Sequence, residues 1–475
     1  MSANGMRDVI VIGGGISGLT TAWRLHRAGL DVALLEAQQT VGGVMQSERR
    51  DGLILEKGPF NVLVRDDTFH EMLDAAQEHV TPVIAAEEAQ KRFIYKDGVI
   101  HEVPTGPVPL IGSKLLSGPA KMRALVSMLI SRREREAEPT IDQAARRRLG
   151  GEVADVFISS IVAGVFGGDS RNLSLKACFP NAHTFDQTRR SPLLYEMEVL
   201  KAKKRKLEQH PERKARKGLV SFEGGLQSLA DWLAGELGEN VETGTRVERI
   251  EREADGFRVF AERNGESVEH RARRLVLATQ SEPAAKLLEP MTTEAAELLR
   301  GIEHASLVVL NLAFRSEDVG HPMQGYGFLV PRTEATMPVM GVLWADSAFP
   351  HHAHPGTRLI RVFLGGPRDP GATDRSQDEL LSTAMDAVRD KLDLRADPTH
   401  VDLCRWPNGI PQYTRGHTDR IASVKEHIAA IHGLHVVGSY LTGVSVNDCV
   451  RDGTAMANTI IAEVELDSTG SARRS

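Results

Sequence analysis

The chain opens with a change of hydrophobic period. Asp8-Val9-Ile10-Val11-Ile12 is almost uniformly apolar, the pattern of a parallel strand buried on both faces. It runs into Gly13-Gly14-Gly15-Ile16-Ser17-Gly18. Leu19, Ala22, Trp23 and Leu25 then recur at helical spacing until Gly29 ends the run. Asp31 to Leu35 is a second apolar strand, closed by Glu36, so the first 36 residues predict a β-α-β unit. Residues 44–57 predict a hairpin turning at Asp51-Gly52, and 66–78 a helix. The stretch 110–130 is rich in Leu and Met and holds no acid, and 131–217 lacks strand alternation and reads as helical. Beyond Gly218, Phe222-Glu223-Gly224-Gly225 leads into a helix ending near 237. Strands are predicted around Val247 and at 257–261 and 268–271, with turns at Asp255-Gly256 and Asn264-Gly265, and a buried strand at 275–279. Further strands are expected at 306–314, 326–330, 340–344 and 358–364, and a helix at 376–391. Leu434 to Gly438 is a last apolar strand before a helix capped near Asn447 or Asp448, and residues from about 467 read as a disordered tail.

Composition narrows the class. A chain of 475 residues holds two or three domains, and 41% apolar with 26% charged residues describes a packed globular protein. Lys and Arg number 58 against 64 Asp and Glu, a balance of −6 that argues against a nucleic-acid partner. Cys178, Cys404 and Cys449 are too few for a disulfide framework, form no C-x-x-C pair and suit a reducing compartment. The start carries no secretory signal and no run approaches a membrane span, so the expectation is cytoplasmic, with peripheral contact on the inner face of the cell membrane left open. The basic run 201–217 reads as a solvated helix end or loop, or as a surface meeting anionic lipid. His351-His352-Ala353-His354 has no acid beside it and reads as an exposed loop; no metal site is expected.

Gly13-x-Gly15-x-x-Gly18 between a strand and a helix carries chemistry. Gly13 makes the tight turn, Gly15 lets a pyrophosphate reach the backbone and the helix N-terminus, and Gly18 lets helix and strand approach. Gly14, Ile16 and Ser17 complete the turn. Glu36, 23 residues after Gly13, can accept from both hydroxyls of an adenosine ribose, which argues against a 2′-phosphate. Gly42-Gly43 follows Glu36 closely, and its role would be a second backbone approach on the far side of the cofactor.

Six blocks then occur in order: Glu56-Lys57-Gly58-Pro59-Phe60-Asn61, Gln90 to Tyr95, Gly164 to Asp169, Ser221 to Leu226, Arg405 to Tyr413, and Gly438 to Cys449. With Gly42-Gly43 they resemble the FAD-dependent, oxygen-using protoporphyrinogen oxidase family, within the flavin monoamine oxidase-like superfamily. The resemblance spans about 7 to 465. It implies an α/β fold with a Rossmann-type FAD-binding domain assembled from discontinuous segments (1–85, 216–295 and 428–466). A β-rich substrate domain would take 86–95 and 296–427, a helical, membrane-facing insertion 96–215, and a tail 467–475. FAD would be non-covalent. Gly58, Pro59, Phe60 and Asn61 would line its isoalloxazine, Val247 would meet the adenine side, and Ser439, Val444, Ser445 and Val446 would close over pyrophosphate and flavin. Arg92 would hold a substrate propionate, with Gly164, Leu329, Leu343 and Phe363 around the tetrapyrrole.

The activity so implied is the six-electron oxidation of a porphyrinogen, in three two-electron rounds with O₂ going to H₂O₂. The flavin itself carries the chemistry and no acid–base pair stands out. Protoporphyrinogen IX is the expected substrate, coproporphyrinogen III the alternative and a flavin amine oxidase a more distant one; a redox-silent flavin scaffold is the reading from another class. The resemblance also leaves room for a homodimer, peripheral membrane contact and hand-over of product to a ferrochelatase.

Overall fold

In the computed structural model the described residues are 6–127, 137–187 and 218–472. The basic run 201–217 and the end of the 110–130 stretch lie outside them. Two seven-stranded sheets organise the protein. In the first, Met6–Ile12 lies parallel to Val32–Leu35 on one side and to Glu266–Leu277 on the other. Val241–Glu242 and Leu434–Val436 extend the parallel part. Val9 and Val11 face a core formed with the helices Ile16–Arg27, Gln227–Leu237 and Val446–Ala472; Ile10 and Ile12 face a second core with Ser281–Leu288, Thr293–Arg300 and His417–Ala429. A strand buried on both faces must be apolar at every position, which is why this run shows no alternation.

The second sheet runs in the order His400–Pro411, His304–Arg315, Thr357–Gly365, Gly341–Trp344, Gly327–Leu329, Phe93–Lys96, Val99–Glu102. One face packs its core with Val308, Leu310, Phe328, Val342, Trp344 and Val362. Helices between 141 and 187 lie near the strand Gly327–Leu329, and Ala154–Ile158 is a π-helical turn among them. No helix among the described residues is long and apolar enough to cross a membrane.

Most expected elements form, the Asp51-Gly52 hairpin among them. Five expectations change. The strands at 268–271 and 275–279 are one strand, Glu266–Leu277. Its first half pairs antiparallel with Gly256–Arg263, and its second half joins the parallel sheet. The turn expected at Asp255-Gly256 is Ala254-Asp255, and Gly256 is the first residue of the strand Gly256–Arg263, where a Cβ would sit 2.2 Å from Ala272 O. The last helix begins at Val446 with Ser445 bonded to the Asp448 amide at 3.1 Å, and it runs on to Ala472 where a tail was expected. The histidine loop is not wholly exposed: His352 is fully buried and His351 half-buried. The block Arg405 to Pro411, not read as secondary structure, lies in a strand bonded to His304–Arg315.

Candidate functional site

The first wall of the site is a floor of glycines. Gly13 has φ +111°, and a Cβ there would lie 2.8 Å from Ala278 backbone. Gly18 would strike Gly13 O at 2.0 Å. Gly42 donates to Gly14 O at 2.8 Å, and a Cβ at Gly43 would come 3.2 Å from Gly15 Cα. Gly15 alone has open space where its Cβ would be, at the start of the helix Ile16–Arg27. Every neighbouring glycine is needed by the protein, whereas the space over Gly15 is free for a ligand. The Glu36 carboxylate takes one amide on each oxygen, Gly14 at 2.6 Å and Gln38 at 2.7 Å, which fixes its direction and leaves lone pairs for two hydroxyls. Val247 follows Thr245, whose amide bonds Glu36 O, and a bulge falls between Val247 and Arg249.

The last helix completes this wall. Gly453 lies against Ser17 O and Thr20, and Thr21 donates to Gly453 O, so the helices Ile16–Arg27 and Val446–Ala472 cross with their N-terminal turns close. Buried Asn447 accepts from Arg65 N and donates to Asp66. Val446 shares a core with Ile16, Ser445 caps the last helix on the Asp448 amide, and Val444 packs towards Phe166 and Tyr413. Cys449 is buried and burial pushes its thiol up to about 12; it stays protonated, as suits a cofactor held without a covalent link.

The loop Gly58 to Asn61 joins this wall to the second sheet. A Cβ on Gly58 would sit 2.2 Å from Val44 O. Trp406 Nε1 donates to Lys57 O at 2.8 Å, Gln412 Nε2 to Phe166 O at 2.8 Å, and Tyr413 to Ser439 O. The separate sequence blocks thus bond to one another. Phe60 packs edge-on to Phe349 and His352, and Asn61 donates to Tyr326 Oη at 2.6 Å.

On the sheet face towards this loop stand Leu329, Leu343 and Phe363. The register explains it: Gly327 pairs with Leu343, Leu329 with Gly341, Gly341 with Phe363. A Cβ at Gly164 would touch Leu329 Cδ2 at 3.0 Å, so the helix Ser159–Phe166 roofs this face, with Ile161, Gly164 and Val165 exposed on it. Arg92 is exposed, its guanidinium 5.6 Å from the Tyr326 ring centre. Ser439 accepts the Tyr413 bond and lies beyond the Phe60 loop.

Arg361 was missed by sequence reasoning. It is 1% exposed, donates to Glu56 O and Gly58 O at 2.9 Å each and to Asn311 at 3.1 Å, and stacks on Phe60 and Phe363. Burial lowers its pKa to about 10, so it stays charged. Its signal was an arginine inside the apolar run Leu359-Ile360-Arg361-Val362-Phe363. Glu56 is also buried; desolvation raises it to about 7 against hydrogen bonds from Ser47 and the Leu226 amide. His352, pressed between Phe60 and Ser221, is held neutral by burial.

The pattern of flavin containing amine oxidoreductases matches residues 16–461. Among curated relatives, the chain is 32% identical over 478 residues to the protoporphyrinogen oxidase of Bos taurus, covering 96% of this chain and 98% of that protein. It is 25% identical over 470 residues to the coproporphyrinogen III oxidase of Bacillus subtilis, covering 95% and 97%. A crystal structure from Exiguobacterium sp. 255-15 superposes with TM-score 0.81 at 24% identity, over 98% of this chain and 100% of that one. The cyclohexylamine oxidase of Brevibacterium oxydans superposes with TM-score 0.70 at 18% identity, over 97% and 100%.

Two outcomes are expected. Gly15→Val should fold yet purify without FAD, because its side chain meets no protein atom and fills the cradle, whereas Gly18→Val should lower the melting temperature by striking Gly13 O. Flavin absorbance and thermal melts of both variants check this. Glu56 holds its proton to about pH 7 when folded and to about 4.5 unfolded, so stability should fall as pH rises between these values. Glu56→Gln should flatten that slope, worth on the order of 3 kcal/mol, in urea unfolding at the two ends of the window.

Proposed function

The chain belongs to the flavin containing amine oxidoreductase family and is an FAD-dependent oxidoreductase; from that premise we propose that it is an oxygen-dependent protoporphyrinogen oxidase of porphyrin biosynthesis. FAD supplies the two-electron acceptor that O₂ can reoxidise. The porphyrinogen gives up six hydrogens, so three rounds and three O₂, each reduced to H₂O₂, balance one porphyrin.

The observation that carries the reading is a half-buried apolar slot bounded by Leu329, Leu343 and Phe363 on one sheet face, beside the helix bearing Ile161, Gly164 and Val165. At Gly164 the helix touches Leu329, so a flat macrocycle would lie beside that contact, against Leu343 and Phe363. Burying its apolar edges there excludes water from the reacting carbon and holds it in one orientation. Arg92 serves as the propionate anchor at the rim, with Tyr326 and Asn61 fixing the ring beside it. The exposed apolar residues Val108, Ile111, Met122 and Val126 support a membrane-facing role for the helices before 127.

The slot also supports protoporphyrinogen IX over coproporphyrinogen III. Two propionates suit a mostly apolar slot with Arg92 at its rim, whereas each further carboxylate buried without a partner loses its hydration. Measured side by side, kcat/KM should be higher for protoporphyrinogen IX, with three O₂ consumed per porphyrin. A preference for coproporphyrinogen III, or a ratio of one O₂, would reject the assignment. Arg92→Ala should leave FAD content unchanged and raise KM about ten- to hundred-fold, the weight of one charge-assisted hydrogen bond.

A further inference from the structure

The helix Ser159–Phe166 beside the slot is tied to the far side by one arginine outside it. Arg332 lies three residues beyond Leu329, and its side chain is 19% exposed. Its Nε donates to Asp155 Oδ1 at 2.9 Å. Nη2 donates to the same oxygen at 2.7 Å and to Asp142, and Nη1 to Asp169 at 3.3 Å and Ser170 Oγ at 3.2 Å. Its amide donates to Ser159 Oγ at 3.3 Å. All five partners fall between 142 and 170, on the helix Ile141–Arg148, the π-helical turn Ala154–Ile158, the start of the helix Ser159–Phe166 and the loop after it. Arg146 bonds Asp142 at 2.7 Å and pairs with Asp155, and Arg171 bonds Asp169 at 2.9 Å through Nε. Three carboxylates are thereby matched by three guanidiniums, and of these only Arg332 comes from outside 142–171, from the turn after the strand Gly327–Leu329.

The lever is short on both sides. On one side, the anchor at 332, in the turn after the strand, and the contact at Leu329, its last residue, are three residues apart. On the helices, Asp155 and Ser159 precede Gly164, which touches Leu329 so closely that a Cβ there would come within 3.0 Å of its Cδ2. The π-helical turn lies between the anchor and the contact helix, where an extra residue per turn re-aims the helix axis. A planar guanidinium spreads five donors over a rigid fork and so meets three carboxylates and a hydroxyl at once, whereas an ammonium offers three donors from a single point.

We propose that Arg332 is a positioning residue that fixes the gap between the Gly164 helix and the Leu329 strand, and so sets how closely the slot grips its flat substrate. This rests on the porphyrinogen reading above. Without Arg332, three carboxylates share two guanidiniums, and the helices are left with the packing of Val153 and Val156 on Ile94 and the pair Lys96–Glu152 at this edge of the sheet. The helix is then free to retreat from Leu329.

The test uses four purified holoenzymes: Arg332→Gln, Arg332→Lys, Gly164→Ala and the double variant Gly164→Ala with Arg332→Gln. Arg332→Gln should raise KM for protoporphyrinogen IX about tenfold or more with the flavin content and spectrum intact, and Arg332→Lys should fall between it and the parent. Gly164→Ala should also raise KM, since its methyl meets Leu329 in a gap that cannot widen. In the double variant the gap can widen, so its KM should lie below the product of the two single effects. Multiplicative effects, or an unchanged KM in Arg332→Gln, would overturn the proposal. Should Arg332→Gln fail to fold, Asp155→Asn, which weakens two of the same bonds, takes its place in the cycle. Amide hydrogen exchange across 141–170 reads the clamp without turnover: faster exchange in Arg332→Gln supports it, and unchanged exchange refutes it. If the parent enzyme oxidises no porphyrinogen, the substrate reading fails while the exchange result still decides the clamp.

Discussion

Much of the structure hangs on a buried cation where the hairpin ending at Glu56 meets the second seven-stranded sheet. Arg361 reaches from the middle of the second sheet to the carbonyls of Glu56 and Gly58, where the chain leaves the hairpin of the first wall. Removing a guanidinium from water is costly, and the protein offsets that cost with three hydrogen bonds, two aromatic faces and the field of Glu56 and Asp402. The arrangement is directional. Hydrogen bonds to carbonyls fix the loop from Glu56 to Gly58 in a way that apolar packing alone does not, and Phe60 is held between Arg361 and His352 as a result.

From that junction the two halves of the site acquire their separate physics. The nucleotide half is backbone chemistry: amides, helix ends and the absence of side chains, with one oriented carboxylate at Glu36. The half proposed for the substrate is apolar area on a sheet face, met by a helix with a glycine at the closest point. A two-electron oxidation by a flavin needs orientation and a dry contact more than it needs a proton donor. The buried titratable groups near the loop, Glu56, His352 and Arg361, serve accordingly in holding it, and each is enclosed among protein partners.

The same logic explains why the blocks Lys57, Phe166, Trp406 to Tyr413 and Ser439 lie so far apart in the chain and so close in space. Each contributes a backbone carbonyl or a side-chain donor to another block: Trp406 to Lys57, Gln412 to Phe166, Tyr413 to Ser439. A loop lining a ligand has few ladder partners of its own, so its carbonyls must be met from elsewhere in the fold.

The glycine turn, Glu36, the parallel strands and the order of the motif blocks were legible in the sequence, because they depend on local backbone geometry and on runs buried on both faces. Gly13, Gly15 and Gly18 specify their own turn and helix start within a few residues. The face shared by Leu329, Leu343 and Phe363 was reached only through resemblance, since strand register is not written in any one strand. What tertiary structure alone decided is the partnership of charges. Arg361 and Arg332 look like ordinary arginines in the chain; one is buried by a register that sets it beside Asn311 and under Phe60, the other gathers three aspartates from elements more than 160 residues away. The same holds for His352, taken into the core by Phe60, and for Gly256, required by the carbonyl of Ala272 across the sheet. Local sequence determines which turns and helices form. Long-range pairing determines which charge meets which, because that depends on distances the chain acquires only when its sheets close.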